Sequence, residues 1–194
     1  MPPSGPTSGP PGSWPEQGGN AAAEGGDHVS GGKPVVRVAT PADAVVLAGL
    51  NRPAQLENHR RVPEWFAAPG DPDVEDLVRR WLCREGAVGF VAELDGQVAG
   101  YALAAVHHRV RSRSSPESHW IDLNQIAVAP EARRRGVAKA LCVEVIDHAR
   151  ARRLDAVQLN VWAFTLEAQA LFTSLGFEPA TMRLALDDAD HRSA

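Results

Sequence analysis

Ile121-Asp122-Leu123-Asn124-Gln125-Ile126-Ala127-Val128-Ala129-Pro130-Glu131-Ala132-Arg133-Arg134-Arg135-Gly136-Val137-Ala138-Lys139 is the stretch on which the fold of this 194-residue chain turns. Its first half is apolar and rich in β-branched residues, the composition of a buried strand. Pro130 ends that pattern. From Gly136 onward, Val137, Leu141, Val145 and Ala149 recur every four residues, with Ala138, Cys142 and Ile146 widening the stripe into a core-facing helix surface. The spacing predicts a strand, a tight turn and a helix start.

The turn is crowded with cations. Arg133, Arg134, Arg135 and Lys139 stand where the helix macrodipole is already positive, at a cost of roughly 0.3 to 1 kcal/mol each. A chain that accepts this cost is expected to hold an anion there. Helix N-terminal N–H groups point outward, Gly136 has no Cβ to block an approaching phosphate, and Ala138 is small. There is no Gly-Lys-Ser/Thr of a P-loop and no Gly-x-Gly-x-x-Gly.

Arg133-Arg134-Arg135-Gly136-Val137-Ala138 resembles the Arg/Gln-x-x-Gly-x-Gly/Ala signature of the GCN5-related N-acetyltransferases (GNAT), which hold the pyrophosphate of acetyl-CoA in that loop. Ile126 to Pro130 is similar to the family's fourth strand and Leu141 to Arg150 to the helix that follows. A second segment fits the same family: Leu159-Asn160-Val161-Trp162-Ala163-Phe164, then Ala168, Leu171-Phe172 and Leu175-Gly176-Phe177. The resemblance runs from about Val35 to Leu186. It implies an α/β (α+β) fold, a mixed central sheet of roughly six to seven strands with about four helices, splayed between strands 4 and 5.

The resemblance also implies a reaction, in which an acetyl group passes from acetyl-CoA, the cosubstrate, to a primary amine of a small molecule or peptide by direct attack on the thioester. The backbone of Ile126, Ala127 and Val128 would pair with the pantetheine arm. Arg133, Arg134, Arg135, Gly136, Val137, Ala138 and Lys139 would hold the diphosphate, and Thr165 and Phe172 would complete the cofactor set. Asp122 lies fourteen residues before Gly136, the register at which histone-acetylating members carry a catalytic Glu. It is the candidate base, with a structural hydrogen bond as the alternative role. Many members carry a Tyr acid where this chain has Phe172, and a common Asn is replaced by Thr165. Phe donates no proton, so water, Thr173 or Ser174 would have to serve, or the thiolate would leave unassisted, since thiols ionise near pH ~8.5. A non-catalytic acyl-CoA-binding or regulatory module with reduced turnover is therefore the second reading.

Composition bounds the rest. At 44% hydrophobic residues and net charge −4, one globular domain plus a tail is expected, without general affinity for nucleic acid. Residues 1–33, Pro/Gly-rich with almost no large apolar side chain except Trp14, are expected to be a disordered extension. Residues 34–187 would form the acetyltransferase domain, and 188–194 a frayed end. Cys83 and Cys142 stand apart, without Cys-x-x-Cys spacing, which points to a reducing, cytoplasmic setting. No apolar run reaches a membrane-spanning length of about 18 residues, and the N-terminus lacks a secretory pattern. A homodimer is left open.

Along the chain, Val35 to Val38 reads as a strand, and Thr40-Pro41-Ala42-Asp43 as a capped helix start, the helix running to about Leu50. Leu56 to Phe66 follows. In the family, the segment between the first two helices roofs the acceptor site, so His59, Glu64, Trp65 and Phe66 are candidate substrate contacts, with packing as the alternative. Asp73 to Arg84 carries a helical stripe. Val88 to Leu94 and Gln97 to about Val106 form a hairpin across Asp95-Gly96. Arg109 to Ser118 is a polar loop flanked by His107, His108 and His119. Strand alternation puts His107 and His108 on opposite faces, so no metal is expected. Ala156 to Val161 should be a parallel strand after a right-handed crossover. Leu166 to Leu175 should be a helix stopped by Gly176, with closing strands from Phe177 and from Met182 to Leu186.

Overall fold

Alternating apolar residues need a partner surface, and in this chain the sheet supplies it from both sides. The computed structural model describes residues 32–66, 68 and 74–184. Five strands, β1 (Val35–Val38), β2 (Ala87–Leu94), β3 (Gln97–Arg109), β4 (Ser118–Val128) and β5 (Ala156–Leu159), lie side by side in chain order. The first four are antiparallel, and β5 is parallel to β4. Four helices accompany them: α1 (Ala44–Arg61), α2 (Val74–Leu82), α3 (Val137–Ala151) and α4 (Leu166–Ser174). The described residues divide into two compact units, one ending at Asn160 and one beginning at Val161. No described helix is long and apolar enough to cross a membrane.

The sheet is mixed, but it has five strands among the described residues where six to seven were expected. Residues 177–184 form no strand. Met182 and Leu184 are more than four-fifths exposed, so the apolar alternation that suggested a closing strand buries nothing there. Ala185 and Leu186 lie outside the described residues, as do residues 1–31 and Asp73. β5 ends at Leu159 rather than at Val161.

In the unit ending at Asn160 the two faces of the sheet carry different helices. Ala44 and Leu47 of α1 and Val78 of α2 form one buried cluster with Val91, Tyr101, Leu103 and Ala127. The alternate residues of the same strands meet α3, where Phe90 lies edge-on to His148 and Gly100 faces Val137. A Cβ on Gly100 would sit 2.8 Å from the Ala127 carbonyl oxygen and 2.9 Å from Val137 Cγ1. Its absence lets α3 seat against the sheet beside the end of β4.

The first helix departs from expectation. A 3-10 turn at Pro41–Asp43 leads into α1, which continues past Leu50 to Arg61 with Pro53 inside it. An internal Pro costs about 3 kcal/mol. Here Leu50 packs on the core cluster and Leu56 is half-buried, and their burial outweighs that cost.

Arg37 ties this corner together. Its guanidinium donates to both Asp43 carboxylate oxygens, at 3.0 and 2.8 Å, and to Glu93 Oε1 at 2.7 Å. Asp43 also accepts the Thr40 amide at 2.7 Å and the Thr40 hydroxyl at 3.1 Å. The Arg37 bonds come first, and the Thr40 bonds add to them against burial; together they hold the Asp43 carboxyl at about 2. A carboxylate depressed in the folded state stabilises the fold fully above its unfolded value of ~3.9, and that contribution is lost as pH falls toward 2. Asp43→Asn is expected to lower unfolding free energy at pH 7 by about 1 to 2 kcal/mol, the half-exposed Arg37 keeping the figure modest. It should also flatten the stability loss between pH 4 and 2. Urea titrations at pH 7, 4 and 2.5 measure both effects, and wild-type midpoints at each pH would contradict them.

Candidate functional site

The turn between β4 and α3 is built from unusual backbone. Arg134 and Gly136 have φ of +61° and +81°, both left-handed, and Gly136 is the residue capping α3. A Cβ there would meet nothing within 4 Å, so φ, rather than crowding by protein, calls for glycine. Arg134 takes that conformation without glycine's freedom, a strain of roughly 1 kcal/mol or more. Left-handed residues flanking one another in a turn gather N–H groups into an anion-binding concavity. Among the described residues, the amides of Arg134 through Lys139 donate to no backbone acceptor and no side chain caps them. Arg133 to Gly136 and Lys139 are exposed, Val137 is buried and Ala138 is half-buried.

The cations divide into two kinds. Arg135 reaches Asp95 Oδ2 in the β2–β3 turn at 2.8 Å and holds that carboxyl below the usual carboxylate range. It braces the turn. Arg133, Arg134 and Lys139 have no carboxylate partner among the described residues and stand beside the open amides.

Upstream, β4 is only partly covered. β3 pairs with it over its whole length, whereas β5 pairs only from Trp120 to Leu123. From Asn124 to Val128, the edge turned away from β3 has no strand partner among the described residues of this unit. Ile126 and Val128 are half-buried and Ala127 is buried.

The register of the β3–β4 hairpin gives Asp122 its surroundings. A bulge shifts the pairing from Leu103↔Gln125 to Ala104↔Leu123, leaving Asn124 as the extra residue. Asp122 therefore shares a face with Gln125 and Ala127, which simple alternation would put on the other side. This is the α1 and α2 side. Trp120 Nε1 donates to Asp122 Oδ1 at 3.2 Å, and His107 Nε2 lies 3.2 Å from Asp122 Oδ2. The His107 ring stacks on Trp120, with centroids 5.4 Å apart. The His107 contact is at ion-pair distance but misaligned, so the buried Nε2 is left without a hydrogen-bond partner. Both side chains keep about a third of their surface exposed. His107 is the residue that reading the sequence missed. The signal lay in the hairpin, whose pairs His107↔Trp120, His108↔His119 and Arg109↔Ser118 are symmetric about the Arg113–Ser114 bond.

His59, in the last turn of α1, donates from Nδ1 to the Phe66 carbonyl at 2.7 Å, a bond that closes the chain after the helix. Glu64 and Trp65 between them are exposed. Thr165, Phe172, Thr173 and Ser174 belong to the unit beginning at Val161. There the Thr165 hydroxyl donates to the Trp162 carbonyl at 2.8 Å and the Ser174 hydroxyl to the Leu171 carbonyl at 2.6 Å. Phe172 lies edge-on to Phe177. The chain's single tyrosine, Tyr101, is fully buried in the α1 and α2 cluster and donates to Gln125 Oε1 at 3.3 Å. Burial pushes its phenol up.

Comparison with known proteins bears on the same segments. Residues 55–177, more than half of the chain, match the model of the acetyltransferase (GNAT) family. The chain is 31% identical over 105 residues to N-acetylaspartate synthetase of Homo sapiens, covering 54% of this chain and 32% of that protein. It is 33% identical over 112 residues to mycothiol acetyltransferase of Thermobispora bispora, covering 56% and 36%. It thus spans about a third of the length of these relatives. To the uncharacterized N-acetyltransferase YjgM of Escherichia coli it is 26% identical over 152 residues, 78% of this chain and 86% of that one. Among solved structures, the BH1408 tetramutant of Bacillus halodurans superposes with a TM-score of 0.71 at 18% identity, covering 78% of this chain and 99% of that one. The aminoglycoside N-acetyltransferase AAC(6')-Iy in complex with CoA does so at 0.61 and 22%, covering 83% and 97%. At these identities the structural likeness concerns the fold alone. With the family model matching over most of its sheet and helices, the chain belongs to the acetyltransferase (GNAT) family.

Proposed function

We propose that this chain transfers an acetyl group from acetyl-CoA to a primary amine of a small molecule or peptide. The observation that carries the proposal is the run of amides from Arg134 to Lys139 without an acceptor among the described residues, next to Arg133, Arg134 and Lys139, which have no carboxylate partner among those residues. A diphosphate supplies the acceptors and the negative charge that this corner lacks. The free edge at Ile126, Ala127 and Val128 would pair with the pantetheine arm. From Asp122 to Val128, β4 spans about 20 Å at ~3.3 Å per residue, the scale of that arm. A solved neighbour of this fold is described as an acetyltransferase with acetyl-CoA, and another as a complex with a bisubstrate analog.

Asp122 and His107 would manage the proton. An amine nitrogen entering beside Asp122 can donate one N–H to the carboxylate, and Asp122, with His107 Nε2 3.2 Å from its Oδ2, takes up the proton released as the new C–N bond forms. Trp120 holds the carboxylate in place from the other oxygen. Glu64 and Trp65, exposed after α1, are proposed acceptor contacts, whereas the mutual bond of His59 and Phe66 gives those two a positioning part. No protein acid is assigned to the leaving sulfur: Phe172 has none to offer, Tyr101 is closed off, Ser174 already donates to a helix carbonyl, and Thr173 is an exposed alcohol no better a proton donor than water. The thiolate would leave as such and take its proton from water. Free Cys83 and Cys142 fit the reducing cytoplasm expected for the chain.

The shortage of acids is also what favours the second reading, an acyl-CoA-binding module with reduced turnover. Thiol release from acetyl-CoA measured over a broad amine panel separates the two, because the enzyme requires amine-dependent release and the module shows binding without it. Gly136→Asp is expected to weaken coenzyme A binding at least tenfold by calorimetry, since it adds an anion to the cradle while Asp tolerates left-handed φ comparatively well. Wild-type affinity in a folded variant would contradict the cradle. Asp122→Asn should reduce the acetyl-transfer rate by about 10²-fold at neutral pH with coenzyme A affinity unchanged. His107→Gln should alter the pH dependence of the rate. Wild-type rates and pH profiles in both variants would remove the pair from the mechanism.

A further inference from the structure

Two strands that pair antiparallel place directly opposed side chains about 5 Å apart on one face, the separation at which two imidazoles can share a metal ion. His108 and His119 are such a pair at the end of the β3–β4 hairpin. Their rings are stacked, centroids 4.1 Å apart and planes 8° from parallel. Glu117, one residue past Pro116, brings Oε1 to 3.1 Å from His108 Nε2. One ligand atom from each of the three residues can be chosen so that all lie within 4.8 Å of one another.

We propose that His108, Glu117 and His119 form a surface site for one first-row divalent transition metal, Zn2+ being the plainest occupant. Two imidazole nitrogens and a carboxylate suit Zn2+, Co2+, Ni2+ or Cu2+, and the nitrogen donors disfavour Mg2+ and Ca2+. Tetrahedral bonds of ~2.0–2.1 Å put ligand atoms about 3.3 Å apart. His108 and Glu117 are already near that separation; on binding, the stacked His108 and His119 rings, both exposed, would turn out of their stack so that one in-plane nitrogen of each converges on the ion, with water in the fourth position.

The backbone beneath the three ligands is fixed by bonds that leave their rings and carboxylate untouched. Asp155 Oδ2 accepts the His119 amide N–H at 2.7 Å, and Arg109 Nε donates to the Pro116 carbonyl at 3.2 Å. The loop closes through the Ser112 amide on the Ser115 carbonyl at 2.9 Å. Arg109 is the nearest cation in sequence, but it alternates to the opposite face, where it lies over Trp120. Arg111 and Arg113 stand in the exposed loop. His107, facing Asp122, is on that opposite face as well, so the metal site is separate from the proposed acetyl-transfer groups and stands or falls without them.

The test uses the full-length, tag-free chain titrated with Zn2+ alone by calorimetry and with Co2+ alone by visible absorption. The expected result is one equivalent bound, a thermal midpoint that rises with Zn2+, and ring proton signals of His108 and His119 that move in NMR spectra of the wild type. His108→Ala and His119→Ala should each weaken binding by about tenfold or more, and Glu117→Gln should weaken it as well. Cys83→Ser, which removes the exposed thiol, should bind as wild type does. The proposal is overturned if the wild type shows no saturable uptake, if the His108→Ala/His119→Ala double variant binds with wild-type affinity, or if Zn2+ moves only other histidine signals.

Discussion

Backbone N–H groups left without acceptors at the end of β4 are the feature around which the rest of this chain is arranged. A helix start always leaves such groups, but here the preceding turn adds more by placing Arg134 and Gly136 in left-handed conformations. Nothing among the described residues caps them. The packing beneath serves the same corner, because Gly100 lets Val137 approach the sheet and so fixes the direction in which α3 presents its first turn. Asp95 and Arg135 brace it from the neighbouring turn. The strain, the cation crowding and the missing caps each cost stability on their own, and a bound diphosphate would offset all three.

The same strand brings the second ingredient. Because β5 pairs with β4 only as far as Leu123, the half of β4 nearest the turn has no second strand partner among the described residues of its unit, while the half nearest the β3–β4 loop is flanked on both sides and carries Asp122. The bulge at Asn124 joins the two halves. Without it, Asp122 would point to the α3 side, into apolar packing with Ile121 and Leu123 as its flanks reversed. With it, the carboxylate lies on the α1 and α2 side, held by Trp120 and approached by His107.

Much of this was legible in the residues and some was not. Val35–Val38 and the Asp95-Gly96 hairpin read directly, the latter because both residues take the positive φ that their types allow. α1 was read too short, since Pro53 masks a helix whose continuation depends on tertiary burial of Leu50. The outer ends of β3 and β4 escape the apolar pattern for a different reason: His107, His108, Arg109, Ser118 and His119 are polar, and the strand ends are stacked across the hairpin by His107 on the half-buried Trp120 and by His108 on His119. The cradle was visible as an Arg-rich turn before a Gly. The partnership of Asp122 with His107 was not, because it requires the hairpin register and the bulge, and neither leaves a mark in composition or periodicity.

The central claim is that the amides from Arg134 to Lys139 receive the diphosphate of coenzyme A. Hydrogen–deuterium exchange of the full chain with and without coenzyme A reads those amides directly. With coenzyme A bound, exchange in the peptide spanning Arg134 to Lys139 should slow. Unchanged exchange in that peptide at saturating coenzyme A, with protection appearing elsewhere, would contradict it.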